Sequence, residues 1–241
     1  MAPAKIKRFY KEAKAASAET GAREFTVLLD GRPVKTPGRR ALVLPSLTLA
    51  EAVAEEWSAQ DAELVPQSMP LTSLCCTALD IVAVRREACE AEIADYGGHD
   101  LVCYRAEAPQ ALVARQSDVW QPLVNWAALE LDAPLVVTKG IAPVEQPAAA
   151  TAALSRAVAA HDDLGLSALA TAVKATGSLV IGLALSRRRL EPDEAFEAAE
   201  LDASYQIELW GEDAEASRRR AAIARELRSA DRLFRLCAEA A

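Results

Sequence analysis

The chain has 241 residues, 51% of them hydrophobic, and a formal net charge of −8 at pH 7. This length suits one large domain or two modest ones, and the apolar content is sufficient for a buried core. Aromatic residues make up only 5% of a chain that is rich in alanine, which favours packed helices over a β-sandwich. The negative charge argues against a nucleic-acid partner and against docking on anionic lipid, because both require a basic surface.

The cysteine pattern excludes two kinds of site. The chain has five cysteines, an odd number; two of them are adjacent and none forms a C-x-x-C pair. Neither a disulfide framework nor a zinc site fits this spacing, so we expect a reducing compartment. The first ten residues lack the apolar segment of a secretory signal, and no apolar run approaches the ~18 residues of a membrane span.

The first 45 residues predict β structure. Phe25–Leu29 and residues 32–36 flank Asp30-Gly31, and this dipeptide favours the positive φ angles of a tight hairpin turn. Residues 41–44 predict a third strand. Asp30 and Gly31 are therefore expected to have a structural role.

A helix is predicted from residue 46 onward. Ser46 or Thr48 can cap it, and its apolar residues recur every four positions as far as Trp57. Glu56 is expected on the opposite, polar face together with other glutamates. Trp57 is expected in the core, so Trp57→Arg should unfold or aggregate the protein.

The rest of the chain is predicted to be helical, except for a loop over residues 134–147 that contains a short strand at 135–137. Predicted helices cover residues 71–96, 111–131, 148–164, 167–186, 192–210 and 212–237, and two of them meet at Gly165. The predicted fold class is α+β, with a small β-rich N-terminal domain followed by a larger all-α C-terminal domain. The domain boundary is expected between residues 62 and 82, and we place it after residue 75. The N-terminal domain then covers residues 1–75 and contains one helix, and the C-terminal domain covers residues 76–241.

No catalytic or metal-binding constellation is visible. His99 and His161 lack the spacing of metal-binding helices, and neither a phosphate-binding glycine loop nor a nucleophile elbow occurs. Cys75 and Cys76 lie in an apolar segment, which is typical of buried structural thiols. The residues indicate neither a catalytic site nor a metal site.

Acidic residues cluster directly after Trp210-Gly211, where Glu212, Asp213 and Glu215 lie at the start of the last predicted helix. One interpretation is that the helix dipole favours acids at a helix N-terminus. The other is a binding patch presented at a helix junction. The arginines 218–220 that follow are expected to form a solvated helix face.

Eight short segments in order carry a family resemblance. They are Arg8-Phe9-Tyr10; Leu29-Asp30-Gly31-Arg32-Pro33 with Lys35-Thr36-Pro37; Glu56-Trp57-Ser58-Ala59-Gln60; Met69-Pro70-Leu71-Thr72-Ser73-Leu74 with Ala78-Leu79-Asp80; Asp100-Leu101-Val102-Cys103-Tyr104-Arg105; Trp120-Gln121-Pro122 with Trp126-Ala127; Thr176-Gly177-Ser178; and Tyr205-Gln206-Ile207 with Trp210-Gly211. Together they resemble the chaperone family specific for the α subunit of the F-type ATP synthase, which occurs in mitochondria and α-proteobacteria.

The resemblance implies a function without catalysis, cofactor or nucleotide. A member binds newly made α subunit on the surface that later contacts β, and it has neither a nucleic-acid nor a membrane partner. We expect a cytoplasmic bacterial protein, or a mitochondrial matrix protein if this is a processed eukaryotic form. Two alternatives remain: a general holdase or adaptor with another client, and a small-molecule transferase with a site between its two parts.

The resemblance also suggests partner-binding residues. The family places an important carboxylate soon after its Trp-Gly pair, but here the position four after Trp210 is Ala214. Glu215 is therefore the first candidate, with Glu212, Asp213, Trp210 and Gly211 around it.

Three more residues match the family's pattern farther upstream. Asp100 is expected to be a helix cap or a salt-bridge partner, with Tyr104 as a structural neighbour. Arg105 is expected to be either the mate of Asp100 or a contact for the partner.

Overall fold

The computed structural model describes residues 6–18 and 24–238. The chain forms two compact units. The first draws its described residues from Met1–Arg86, Asp163–Ser167 and Arg232–Ala241, and the second comprises Glu87–Asp162 and Ala168–Asp231. Short sheets near the N-terminus precede a larger helical region, so the predicted α+β class is confirmed.

The strands are short and form three small sheets. They are β1 (Ile6–Lys7), β2 (Ala13–Ser17), β3 (Phe25–Leu29), β4 (Arg32–Pro33), β5 (Glu63–Leu64), β6 (Tyr104–Arg105) and β7 (Thr138–Lys139). β1 pairs with β5, and β2, β3 and β4 form an antiparallel sheet in that order. β6 and β7 pair in parallel, so the strand predicted at 135–137 begins only at residue 138.

The predicted hairpin is confirmed at its turn, but its second strand covers only Arg32–Pro33 instead of residues 32–36. Leu29 faces Arg32 across a two-residue turn in which Asp30 has φ 47° and Gly31 has φ 80°. These positive angles match the right-handed twist of the flanking strands. The Asp30 carboxylate accepts hydrogen bonds from the backbone N–H of Lys11 and Glu12, at 3.0 and 2.9 Å, and so joins the turn to the preceding chain.

The third strand was predicted in the wrong place. Residues 41–44 make only isolated bridges, whereas β2 pairs along all five residues of β3. β2 has the sequence Ala-Lys-Ala-Ala-Ser, with no β-branched or aromatic residue to indicate a strand. Its conformation depends on the partner strand and on packing against the following helix.

Ten α-helices follow the first strands in the described residues. They are α1 (Leu47–Ser58), α2 (Pro70–Asp80), α3 (Arg86–Ala94), α4 (Gln110–Glu130), α5 (Ala148–Ala159), α6 (Asp163–Thr176), α7 (Leu179–Ser186), α8 (Pro192–Ala199), α9 (Leu201–Trp210) and α10 (Ala214–Ala238). Short 3-10 turns lie at Pro66–Ser68, Val82–Val84, Asp95–Gly98 and Leu101–Cys103. None of these helices combines the length and the apolar character required to cross a bilayer.

α1 packs against β2 and β3 and buries one side completely. Ser46 caps it as predicted, because its hydroxyl accepts from the N–H of Leu49 at 3.2 Å. The expectation that Glu56 is exposed was wrong. Its buried carboxylate accepts from the N–H groups of Leu71 and Thr72, each at 2.8 Å, and so supplies the cap that the N-terminus of α2 lacks locally.

Several predicted helices are divided. The helix expected over 71–96 is broken into α2 and α3 around Val82–Val84, where β-branched residues lower helix propensity. Gly165 lies inside α6, so the predicted junction there was wrong. The actual break falls at Gly177, whose φ of 68° ends α6 before Ser178 begins α7.

α7 is the central helix of the second unit. Every residue from Leu179 to Leu185 is buried, and α4, α5 and α8 all pack around it. A helix that is hydrophobic on all sides requires such surroundings. From α4, buried Trp120 donates its indole N–H to the carbonyl of Ala198 in α8 at 2.8 Å.

The predicted domain boundary between residues 75 and 76 stays a prediction. It falls inside α2, and Cys75 and Ala78 on either side of it are both buried.

Candidate protein-binding site

The junction between α9 and α10 in the second unit is a short non-helical segment over residues 211–213. α9 ends at Trp210, and Gly211 follows with φ 82°, a conformation that glycine adopts without steric cost. The Gly211 N–H donates to the carbonyl of Ile207 at 2.8 Å, which closes the last turn of α9. α10 then begins at Ala214.

The three acids at this junction have different surroundings. Asp213 caps α10, because its Oδ1 accepts from the N–H groups of Glu215 and Ala216, both at 2.8 Å. Glu212 forms an ion pair with Arg220 at 3.3 Å. The Glu215 carboxylate is exposed and has no hydrogen-bond or ionic partner among the described residues. Glu215 is thus the acid of the three that is left for an external partner.

Large apolar side chains are exposed beside these acids. Trp210 is 77% exposed and Leu209 is 56% exposed. An indole ring in solvent is unusual, since tryptophan buries more apolar area than other side chains and is a frequent anchor of protein interfaces. The junction therefore presents an apolar anchor next to a free carboxylate.

An ionic network around a buried carboxylate supports the start of α10. The Glu200 carboxylate is buried and accepts from Arg219 at 2.8 Å and from Arg220 at 3.1 Å. The guanidinium of Arg220 also lies over the ring of Phe196, 4.9 Å from its centroid. Two charge-assisted bonds compensate the desolvation of Glu200 and join α10 to the region between α8 and α9.

This network corrects the expectation for the arginine run. Residues 218–220 were expected to form a solvated face, yet the side chain of Arg220 is only 18% exposed. Periodicity could not identify it, because its partner Glu200 lies 20 residues upstream, between two other helices.

Arg105 lies in the interior, contrary to the expectation of a partner contact. It is buried, and its guanidinium donates to the carbonyls of Val102 at 3.0 Å and Gln116 at 2.8 Å. Burial lowers its pKa from the ordinary arginine value. Its side chain therefore offers no exposed surface to a partner, and it forms no ion pair with Asp100.

Asp100 is a cap, one of its two expected roles. It is fully buried and accepts from the Val102 N–H at 3.2 Å, the Ser178 hydroxyl at 2.6 Å and the Val180 N–H at 2.9 Å. The last two contacts are at the start of α7. Tyr104 lies half-buried in β6, a few residues along the chain.

Trp57 is half-buried at the end of α1 in the first unit. Its ring meets that of Tyr10 edge to face with centroids 5.6 Å apart, and its backbone carbonyl accepts from the Tyr10 hydroxyl at 2.7 Å. The indole N–H is buried without a hydrogen-bond partner in the described structure.

The described residues lack a cluster of metal-binding side chains. No group of three or more His, Cys, Asp or Glu side chains within them could hold a metal ion. Burial raises the pKa of Cys76 to about 11 and that of Cys103 to about 12, so both thiols are protonated near neutral pH. Of the two thiols expected to be buried, Cys75 is buried and its pKa is raised well above the ordinary value by burial, whereas Cys76 is only half-buried.

Comparison with known proteins places the chain among chaperones. A family model described as ATP12 chaperone protein matches residues 7–128. Protein atp12, mitochondrial, from Schizosaccharomyces pombe is 25% identical over 218 residues, which cover 86% of this chain and 74% of the yeast protein.

Solved structures extend this similarity to nearly the whole chain. The crystal structure of Atp12 from Paracoccus denitrificans is 41% identical, with a TM-score of 0.89, and the match covers 96% of this chain and 98% of that one. The Agrobacterium tumefaciens protein Atu1473 is 39% identical with a TM-score of 0.90, over 95% of this chain and 85% of that one. The chain therefore belongs to the ATP12 chaperone family.

Proposed function

We propose that this chaperone holds the unassembled α subunit of the F-type ATP synthase and shields its β-contacting surface until β arrives. The observation that carries the proposal is the similarity to Atp12 of Paracoccus denitrificans over 96% of the chain. An unpaired subunit surface is apolar and prone to aggregation, so a holding protein has a clear physical purpose. The proposed activity involves no catalysis, cofactor or nucleotide, and its place is the cytoplasm of a bacterium.

The α9–α10 junction is the surface we propose for the client. Trp210 supplies an apolar anchor, and the Glu215 carboxylate supplies orientation and faster association with a basic counterpart. Such an interface is moderate in size and partly polar, which suits a partner that must later be released. Asp213 caps α10 and Glu212 pairs with Arg220, and these two contacts hold the α9–α10 junction in place.

Glu215→Lys is the direct test of this surface. Purified α subunit is diluted from denaturant with the wild-type chain or a variant, and aggregation is followed by light scattering. We expect wild type to suppress scattering, Glu215→Lys to lose most of that effect, and added β subunit to release α from the wild-type complex.

Glu226→Lys is the matched control, because Glu226 is an exposed acid on the same helix and the charge change is identical. Thermal melting of both variants checks that the fold is retained. Normal capture of α by a folded Glu215→Lys variant would contradict the proposed site, and failure of wild type to hold α would contradict the proposed client.

A further inference from the structure

The helix α9 carries the exposed anchor of the α9–α10 junction but has little packing of its own. All ten of its residues are described, and Leu201 at its first position is the one that is buried. The residues that follow are half-buried or exposed, and Leu209 and Trp210 are mostly exposed. A short helix without a broad buried face is unstable in water by itself. Contacts with neighbouring helices therefore keep α9 in place.

Arg115 of α4 contacts the exposed half of α9 twice. Its Nη1 donates to Oε1 of Glu208 at 2.6 Å, and its guanidinium lies 5.2 Å from the centroid of the Tyr205 ring. Tyr205 and Glu208 are three positions apart, so they share one face of the helix. The hydrogen bond from Arg115 is also the largest factor that lowers the pKa of Glu208, so this carboxylate is charged near neutral pH. One guanidinium thus binds two side chains of the same helix face.

Arg115 is the polar contact that holds this half of α9. In the part of the chain that the structure describes, the side chains of residues 205–210 form no other hydrogen bond or ion pair with a different helix. The next such contacts along the chain are at Ser204 and Glu212, and both are made by Arg220 of α10. The last turns of α9 therefore depend on Arg115 for their polar attachment.

The attachment to α4 also affects the direction of the anchor. Trp210 follows Glu208 by two positions, which is about 200° around an α-helix. The indole therefore points away from the side that Arg115 holds. A rotation of α9 about its axis, or fraying of its last turn, would change the direction of the ring. A ring that is already oriented loses less conformational entropy when a partner binds.

We propose that Arg115 is a positioning residue of the client site, which orients Trp210 for the client by holding Tyr205 and Glu208. This inference rests on the proposed function, because it concerns the same surface. An exposed ion pair contributes little to the stability of a whole protein. The expected effect of its removal is therefore local: α9 opens more often, while the fold is retained.

Hydrogen exchange of the full chain, without client, tests the local effect. Arg115→Ala is compared with wild type by mass spectrometry. We expect the amides of residues 205–210 to exchange about two- to fivefold faster in the variant, with nearly the same melting temperature. The difference should narrow at about 1 M salt, because salt screens the ion pair that only wild type has.

A charge exchange tests the effect on the client. Arg115→Glu, Glu208→Arg and the double variant are compared in the light-scattering assay described above. We expect each single variant to require about fivefold more chaperone to halve the scattering of α, because two like charges then face each other. The double variant restores the pair and should be within about twofold of wild type.

Arg228→Glu is the matched control. It breaks another exposed ion pair between helices of the second unit, that of Arg228 with Asp193 at 2.8 Å. We expect neither α capture nor the exchange of residues 205–210 to change. An equal loss of α capture in Arg228→Glu would mean that capture responds to the net charge rather than to the attachment of α9.

Two further outcomes would overturn the proposal. Unchanged exchange of residues 205–210 in Arg115→Ala contradicts the positioning role. Restored exchange without restored capture in the double variant means that Arg115 or Glu208 contacts the client directly. Failure of the wild-type chain to hold α contradicts the proposed function instead, and the exchange experiment, which contains no client, distinguishes that failure from failure of this inference.

Discussion

Buried carboxylates at helix starts are the main residue-scale feature of this protein. Glu56 binds the first N–H groups of α2, and Asp100 binds those of α7. Burial is the largest influence on both groups and raises the pKa of each, while the hydrogen bonds oppose that shift. Glu56 lies 15 residues before Leu71 in the first turn of α2, and Asp100 lies 80 residues before Val180 of α7. Rules for local capping consider only neighbouring residues, so they could not identify these two contacts.

Asp100→Asn is expected to destabilise the protein by about 1–3 kcal/mol near neutral pH, because an amide NH₂ would face donors that now bind a carboxylate. The folded-state pKa of Asp100 is raised, so its stabilising contribution is full below the unfolded-state pKa and decreases as pH rises through the folded-state pKa. The stability gap between wild type and variant should therefore narrow from pH 4 to pH 7, as measured by urea unfolding.

Asp61→Asn is the control for that series, since Asp61 is exposed. Its stability difference from wild type should stay small across the same pH range. A gap for Asp100→Asn that widens with rising pH would mean that the folded-state pKa of Asp100 is lowered rather than raised.

Substitutions of Trp57 can distinguish the packing of its ring from the effect of its unpaired indole N–H. Trp57→Phe keeps a ring against Tyr10 and removes an N–H that has no acceptor in the described structure, so the loss of volume and the removal of that donor oppose each other. We expect a change in unfolding free energy within about 1 kcal/mol.

Trp57→Arg places a charge in the half-buried site and should unfold or aggregate the protein. A soluble Trp57→Arg variant with cooperative melting would show that the packing role is wrong.

At the scale of secondary-structure elements, a glycine allows α6 and α7 to approach each other closely. Gly182 lies in α7, where an added Cβ would be 2.6 Å from Cγ2 of Val173 and 3.3 Å from Cδ1 of Leu169, both in α6. Such distances are shorter than normal contacts, so the neighbouring helix would have to shift. The glycine allows α6 and α7 to pack against each other although it is a poor helix former.

Gly182→Ala should therefore lower stability by about 1–3 kcal/mol in spite of a gain of about 1 kcal/mol in helix propensity. Gly98→Ala is the control, because a Cβ there meets nothing within 4 Å. Urea unfolding midpoints compare the two. A Gly182→Ala protein more stable than wild type would mean that α7 adjusts without strain.

Hydrophobic periodicity identified most helices but not their ends. The prediction over 111–131 agrees with α4 within a residue at each end, whereas the expected helix over 192–210 is divided at Glu200 into α8 and α9. Glu200 has good helix propensity, and its ion pairs with Arg219 and Arg220 involve a different helix. Local preference contains no information about such contacts.

At the scale of the whole molecule, the first unit depends on distant parts of the chain. It includes Asp163–Ser167 and Arg232–Ala241 besides the N-terminal residues, and the Ser167 hydroxyl donates to the carbonyl of Leu74 at 3.0 Å. An N-terminal fragment lacks these segments. The unit is therefore not a contiguous N-terminal piece of the chain.

A fragment of residues 1–75 should fail to fold on its own. It ends in the middle of α2 and removes buried Ala78 together with the later segments, and a half-length helix without its packing is unstable in water. We expect no cooperative transition for this fragment in thermal or urea unfolding followed by circular dichroism, unlike the full chain. Cooperative unfolding of the fragment would support a domain boundary at residue 75.

The sequence by itself determined the α+β order, the hairpin at Asp30-Gly31 and the cap at Ser46, because these depend on neighbours within a few residues. It also carried the family resemblance and pointed to the acids after Trp210-Gly211. Only the tertiary structure decided that Glu56 and Arg105 are buried, that Arg220 supports the junction and that Glu215 is left free. These properties depend on groups far away in the chain, since burial and ion pairing are set by the packing of distant elements.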